Sequence, residues 1–280
     1  MAIRLIALDI DGTLLDSSWK IPEANVAAVA EAVRRGIEVA LVTGRRFDFA
    51  KPISAQLGCP ITMVVNNGAL VKSSDGETRL RKVLPLDVAR KVLAATKDFV
   101  DGTAVVFDRP RENQVIFDRL NLENESRRGY YERNKEYISF CSPLESCLTE
   151  DPIQVMYSGP VTTVRSAARV LREMPETNQF ALALTEYEAR DFALADVLHP
   201  AVSKGATLAE WAALQGYKRE EVMAIGDNLN DQEMLEFAGV PVIMGNSVAE
   251  LKRSGWRETL SNDEAGVAAA ICAYALEPIS

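Results

Sequence analysis

Two aspartates stand one residue apart in Asp9-Ile10-Asp11-Gly12-Thr13-Leu14-Leu15. They follow an apolar run, residues 3–8, interrupted only by Arg4, which reads as a buried strand. Side chains of an extended chain repeat every two residues, so both carboxylates are expected on one side. Close carboxylates repel unless something positive lies beside them. A hard divalent cation with oxygen ligands, such as Mg²⁺, relieves that repulsion. Gly12 lets the backbone turn sharply. The plainer alternative is an Asx turn at a strand end.

Three more segments carry chemistry of the same kind. Thr43-Gly44-Arg45 ends an apolar run at residues 37–42. Its hydroxyl can cap the following helix or donate to an anion at that helix start. Val202-Ser203-Lys204-Gly205 puts a lysine in the first turn of a helix, against the helix dipole. Either an anion compensates it or water does. Gly226-Asp227-Asn228-Leu229-Asn230-Asp231 follows a strand at residues 222–225. There Asp227 is placed to complete an oxygen-rich metal site, and Asp231 to pair with Lys204. A polar turn with a helix cap is the simpler account.

The elements around these segments follow from periodicity. Residues 22–35 repeat apolar positions at helical spacing, with Pro22 in the first turn and Gly36 as the stop. Strands at 37–42 and 61–65 alternate with helices, which implies a parallel, doubly wound sheet. From about 81 to 195 the pattern changes. Helical stretches at 86–99 and 161–174 mix with short strands at 104–107, 115–117, 153–157 and 180–184. That suits an antiparallel sheet with helices on one face. Helices at 202–214, 232–237 and 265–275 and strands at 222–225 and 240–244 then resume the first pattern. The fold class is therefore α/β: a Rossmann-like doubly wound parallel-sheet core with an inserted α+β domain. In open sheets of this kind ligands sit outside the carboxyl ends of the strands, where all four segments fall.

Composition narrows the function. With 280 residues, 48% hydrophobic and 25% charged, the chain is ordinary globular protein rather than disordered or low-complexity. Its net charge, 31 − 40 = −9, opposes a nucleic-acid footprint and an anionic-membrane binder. No apolar run is long enough for a membrane helix. The N-terminal apolar stretch runs straight into acids, unlike a secretory leader. Cys59, Cys141, Cys147 and Cys272 lack metal-site spacing and read as free thiols in a reducing, cytoplasmic setting. The single histidine, His199, excludes histidine-rich zinc sites, and neither a GxSxG elbow nor a P-loop is present.

Taken in order, DxDGT, a strand-end Thr-Gly, a helix-start lysine and GDxxND resemble the haloacid dehalogenase superfamily of phosphohydrolases, in its Cof-type branch with a C2B cap. Asn67-Gly68-Ala69, Met244-Gly245-Asn246 and Asn262-Asp263-Glu264 leading to Gly266-Val267 extend the likeness over essentially the whole chain. Only a small flap fits between Gly12 and Pro22, so the cap must follow the third strand. The expected division is a core of residues 1–82 and 192–280 and a cap of 83–191.

The resemblance implies a phosphatase with Mg²⁺ as cofactor and a small phosphorylated metabolite, first of all a sugar phosphate, as substrate. Asp9 would be the nucleophile that forms an aspartyl-phosphate, and Asp11 the acid and base. Asp9, Asp227 and the Asp11 backbone carbonyl would hold the metal. Thr43, Gly44, Lys204 and Asn230 would bind the phosphoryl group, and Asp231 would orient Lys204. Cap residues Arg109, Arg111, Asn113, Tyr187 and Arg190 are candidate substrate readers. Two alternatives stay open: a phosphosugar mutase on the same scaffold, and a non-catalytic phosphate-binding protein. Arg46, His199-Pro200-Ala201 and Ser247 depart from the common pattern outside the expected catalytic set.

Overall fold

The run that precedes the two aspartates forms β1 (Leu5–Leu8), with every residue buried. The computed structural model describes residues 2–123, 125–188 and 191–276, without the side chain of Ser126. After β1 come α1 (Glu23–Arg34), β2 (Glu38–Val42), α2 (Phe47–Gln56), β3 (Thr62–Val65), β4 (Leu70–Ser73) and β5 (Thr78–Arg81). The middle of the chain gives α3 (Leu86–Ala95), β6 (Thr103–Val106), β7 (Val115–Phe117), α4 (Glu125–Asn134), β8 (Ile138–Phe140), β9 (Gln154–Gly159), α5 (Val161–Arg172), β10 (Ala181–Tyr187) and β11 (Phe192–Leu198). The last stretch holds α6 (Lys204–Leu214), β12 (Val222–Gly226), α7 (Gln232–Phe237), β13 (Val240–Ile243), α8 (Ala249–Lys252), β14 (Arg257–Glu258) and α9 (Gly266–Ile271).

The chain divides into two units, residues 1–81 with 203–280, and residues 82–202. The first is built on an eight-stranded sheet in the order β14-β13-β12-β1-β2-β3-β4-β5. From β14 to β3 the neighbours are parallel. The central strands β12, β1, β2 and β3 are largely buried and read as near-continuous apolar runs, while β14, Arg257–Glu258, is an exposed edge. β4 and β5 add an antiparallel edge that periodicity alone did not reveal. β1 lies between β12 and β2, so the connections leave it in both directions. That is a topological switch point, and the crevice beyond its carboxyl end is where such sheets take ligands.

The second unit is a six-stranded sheet, β10-β11-β9-β6-β7-β8, antiparallel except for the β7–β8 pair. Val88, Val92 and Leu93 of α3 and Val164, Ala167 and Leu171 of α5 bury against Val105, Val155, Tyr157, Ala193, Ala195 and Val197 of the sheet. The expected boundary at 191/192 falls too early. β11 pairs along its length with β9 and β10, so the whole strand belongs to the second unit. Asp196 interrupts its apolar run, which hid the strand from a reading of periodicity. Cys141 and Cys147, expected as free thiols, are joined in a disulfide, while Cys59 and Cys272 are free. Among the described residues, no helix is long and apolar enough to cross a membrane.

Candidate active site

Asp9 is the first residue after β1, and its amide donates to the Ile225 carbonyl of β12 at 3.0 Å. Continuing the parallel ladder in this way aims its carboxylate out of the sheet end, yet only 4% of the residue is exposed. Lys204, at the start of α6, reaches it. Its Nζ donates to Asp9 Oδ1 at 2.6 Å and to Asp231 Oδ1 at 2.6 Å. Ser203 caps this helix by accepting from the Ala206 amide. A Cβ on Gly205 would come within 2.5 Å of the Glu233 backbone, so the glycine lets α6 and α7 approach this closely.

The turn after β12 is built around Asp231. Its Oδ2 accepts from the amides of Asp227 at 3.0 Å and Asn228 at 3.1 Å, leaving Oδ1 for Lys204. Thr13 Oγ1 donates to Asp227 Oδ1 at 2.8 Å. Gly12 has φ +84°, and a Cβ there would lie 2.5 Å from Asp227 Oδ2. Both the backbone conformation and the space require glycine. One oxygen each from Asp9, Asp227 and Asp231 lies within 4.8 Å of the others.

Two acids thus share one ammonium, and a third, Asp227, lies alongside. Burial lifts the Asp9 carboxyl well above the ordinary carboxylate range; the charge on Asp231 adds to this and Lys204 opposes it. Asp227 is pushed up to about 7, by burial first and by Asp231 second. Burial works against the charge of Lys204, but attraction to Asp231 and Asp9 exceeds it and holds the ammonium above the ordinary lysine range. An all-oxygen donor set with surplus negative charge fits a hard divalent cation.

Asp11 takes a different direction. Its carboxylate accepts from Arg45 Nε at 2.8 Å and Nη2 at 2.5 Å, a two-pronged pair on a half-buried surface. The two aspartates therefore do not present their side chains to one partner, because Lys204 draws one and Arg45 the other. The side-chain cluster adds Asp231 to Asp9 and Asp227, whereas the expected contribution of Asp11 is its backbone carbonyl. Thr43 Oγ1 accepts from the Arg45 amide at 3.1 Å. Gly44 is exposed, and a Cβ there would lie 2.9 Å from Asn67 Oδ1. Asn230 is half-buried on the Asp231 turn.

The sequence matches the haloacid dehalogenase-like hydrolase family over residues 6–271. The chain belongs to that family. The HMP-PP phosphatase of Serratia proteamaculans is 30% identical to this haloacid dehalogenase-like hydrolase over 253 residues, 89% of this chain and 86% of the relative. A solved haloacid dehalogenase-like hydrolase from Bacteroides thetaiotaomicron shares the fold with a TM-score of 0.80 at 24% identity, covering 97% of this chain and 99% of its own. A structure described as a HAD subclass IIB sugar phosphatase has a TM-score of 0.77 at 22% identity, over 98% of this chain and all of its own.

Several positioning residues of this hydrolase carry no charge and were not assigned a role from sequence. Asn246 Nδ2 donates to the Gly12 carbonyl at 2.8 Å, and Asn262 Nδ2 to the Leu15 carbonyl at 2.9 Å. Asn246 Oδ1 in turn accepts from the Asn262 amide, joining the two. Buried Asn25 donates to the Leu14 carbonyl and accepts from the Ala268 amide. Together these amides fix the loop that carries Gly12 and Thr13. The signal available was the Met244-Gly245-Asn246 and Asn262-Asp263-Glu264 stretches, without a reason for them. In the second unit, Arg109 pairs with Glu150 at 2.6 Å, Arg111 and Asn113 are exposed, and Tyr187 stacks on Phe192. Arg190 lies outside the described residues.

Proposed function

We propose that this protein is a Mg²⁺-dependent phosphomonoester hydrolase acting on a small phosphorylated metabolite, with sugar phosphates the first class to test. The observation that carries this reading is the Asp9–Lys204–Asp231 arrangement with Asp227 alongside. A buried nucleophile keeps one oxygen on a lysine, while no hydrogen bond within the described chain engages the other. A carboxylate needs no base to make it nucleophilic. Its obstacle is the negative charge of a phosphate ester.

Asp9, Asp227 and the Asp11 backbone carbonyl would hold the ion, with Asp231 beside them. When bound, Mg²⁺ offsets the charge of both carboxylate and phosphate. Asp9 would form a bond to phosphorus as the bond to the leaving oxygen breaks. Asp11, as the acid, would give that oxygen a proton. As the base it would take one from the water that frees phosphate from Asp9. Arg45 holds both Asp11 oxygens, so this role requires the carboxyl to turn from Arg45 toward the leaving oxygen. Lys204, the Thr43 hydroxyl, the Gly44 amide and Asn230 would hold the transferring oxygens, acting by placement and charge. A cytoplasmic setting accompanies this reading, although the Cys141–Cys147 disulfide withdraws part of the cysteine argument for it.

The test is para-nitrophenyl phosphate turnover with Mg²⁺, with EDTA, and in Asp9→Asn. Loss in the last two arms is expected; turnover indifferent to both would reject the site. Incubation with a hexose phosphate, following free phosphate, separates hydrolysis from isomerisation.

A further inference from the structure

We propose that the turn Asn66-Asn67-Gly68 is a positioning element: it aims the Gly44 amide and sets its distance from Lys204, so that both reach one phosphoryl group. The inference rests on the phosphatase reading above and deepens it by naming what places two of its phosphoryl-binding groups.

The turn joins β3 to β4, but closing a hairpin does not explain its shape. Its residues have φ of +51°, +56° and +104°. A four-residue hairpin loop is ordinarily built around a type I turn, whose central residues have negative φ. Two successive non-glycine residues in the left-handed region are costly, and such a conformation persists only where the surroundings impose it. Asn66 and Asn67 are buried, and the turn is held from two sides.

On one side lies the segment after β2. The Asn67 amide donates to the Thr43 carbonyl at 3.1 Å, and the Asn66 amide to the Arg45 carbonyl at 2.9 Å. The Thr43 carbonyl and the Gly44 N–H belong to one planar peptide unit and point in opposite directions. Holding that carbonyl toward Asn67 therefore turns the Gly44 N–H away from the turn. Gly44 is exposed, and among the described residues no hydrogen bond engages this N–H.

On the other side lies the start of α6. The Gly68 carbonyl accepts from the Thr207 hydroxyl at 2.9 Å. A Cβ on Gly68 would lie 2.6 Å from the Ser203 carbonyl and 2.7 Å from Thr207 Oγ1. Ser203 and Thr207 bracket Lys204 on the first turn of the helix, where the Thr207 amide donates to the Ser203 carbonyl at 3.0 Å. The turn thus touches the helix as closely as glycine permits. A neutral donor, the Gly44 N–H, and a cation, Lys204, are held apart by one short, buried spacer.

The test compares wild type with Gly68→Ala, Thr207→Val, Thr207→Ser and Gly36→Ala, all as full chains. Gly36 has φ +82° with nothing within 4 Å of a Cβ, so its variant carries backbone strain alone. Calorimetric titration with inorganic phosphate and with Mg²⁺ is read beside kcat and KM for para-nitrophenyl phosphate. Gly68→Ala is expected to weaken phosphate binding and lower kcat, each about tenfold or more, and Thr207→Val about threefold. Thr207→Ser, which keeps the hydroxyl, and Gly36→Ala should stay within about twofold of wild type, and Mg²⁺ affinity within about twofold throughout. Phosphate affinity unchanged in both Gly68→Ala and Thr207→Val overturns the proposal. An equal loss in Gly36→Ala, or an equal loss of Mg²⁺ affinity, overturns it too, since strain or general loosening would then be acting. If Gly68→Ala does not fold, Thr207→Val against Thr207→Ser decides. Crystal structures of wild type and Thr207→Val supply an arm free of function: the distance from the Gly44 nitrogen to the Lys204 Cα is expected to change by about 0.5 Å, and an unchanged distance overturns the proposal. If wild type neither hydrolyses the ester nor binds phosphate, the phosphatase reading fails, while the two structures still decide the placement.

Discussion

Replacing Asp227 by asparagine should stabilise the protein stripped of divalent ions, while abolishing its activity. Burial, and after it the charge of Asp231, pushes Asp227 up to about 7 from an ordinary value of 3.8. At 1.36 kcal/mol per pH unit, holding this carboxylate ionised costs the folded state about 4 kcal/mol. Below about pH 4 the group is protonated whether the chain is folded or not, and the cost is absent. Between about pH 4 and 7 the unfolded chain gives up the proton and the folded chain keeps it, so stability falls as pH rises. Above about 7 the full penalty applies. Asparagine keeps the shape and an oxygen for the Thr13 hydroxyl but carries no charge. In EDTA, urea unfolding at pH 8 should show Asp227→Asn more stable than wild type by about 2–4 kcal/mol. At pH 3.5 the two should agree within about 0.5 kcal/mol. Comparing the difference between variants at two pH values cancels the titration of groups that do not sense Asp227, and Asp9, which its charge raises, moves the difference in the same direction. Adding Mg²⁺ should then raise wild-type stability at pH 8 and leave the variant unmoved. A variant equally destabilised at both pH values would refute the reasoning, since the carboxylate would then be stabilising rather than strained.

Lys204→Met should lower turnover on the order of 10²–10³-fold. It should also cost about 3–5 kcal/mol in urea unfolding at pH 8, because Asp9 and Asp231 lose their shared buried cation. Gly12→Ala forces a side chain into a backbone at φ +84° and 2.5 Å from Asp227 Oδ2; calorimetric titration should show Mg²⁺ affinity down about tenfold or more, with Asp227 pushed off its position. Asn262→Ala removes the donor to the Leu15 carbonyl. Circular dichroism should show the fold retained with a stability loss of about 1–3 kcal/mol, and kcat should fall as the Gly12 loop loosens.

Charged residues in short motifs were legible because their chemistry is rare at strand ends. Asp9, Lys204, Asp227 and Asp231 are separated by up to 222 positions, 231 − 9, yet each announces itself by type and by the strand or helix next to it. Their meeting follows from the order β12-β1-β2; the alternation of strands and helices implied a parallel sheet but not that order. What periodicity could not supply was direction. Spacing by two put Asp9 and Asp11 on one side of an extended chain, but the backbone leaves the strand after Asp9 and Arg45 draws the second carboxylate to itself. The asparagines were invisible for another reason. Asn25, Asn246 and Asn262 act through backbone carbonyls, and any loop can offer a carbonyl. β4 and β5 escaped because an edge hairpin of four-residue strands bears little pattern, and β11 because Asp196 breaks its apolar run.

The lysine at the start of α6 poses the sharpest local conflict, and its resolution explains the shape of the site. A cation in the first turn opposes the helix dipole, at a cost of about 0.3–1 kcal/mol. Locally the residue is badly placed. Seen from Asp9 and Asp231, the dipole and the ammonium have the same sign and point the same way, so both act on the two carboxylates. Charge-assisted hydrogen bonds to buried acids, each about 1.5–3 kcal/mol, outweigh the local cost. That exchange works only if the helix end comes close, which Gly205 permits against Glu233 and Ser203 secures by capping. It also works only while the acids stay ionised beside Asp227, whose own charge the single lysine does not balance. The imbalance left over is what a dication would neutralise. Asp231→Asn removes the charge that faces buried Lys204 and puts an amide NH₂ among donors, so lower stability in EDTA at pH 8 and a raised Mg²⁺ requirement are expected. Were Asp231→Asn to raise stability under those conditions, the repulsion Asp231 causes would outweigh its pairing with Lys204, and the surplus charge would reside on Asp231 as well as on Asp9 and Asp227.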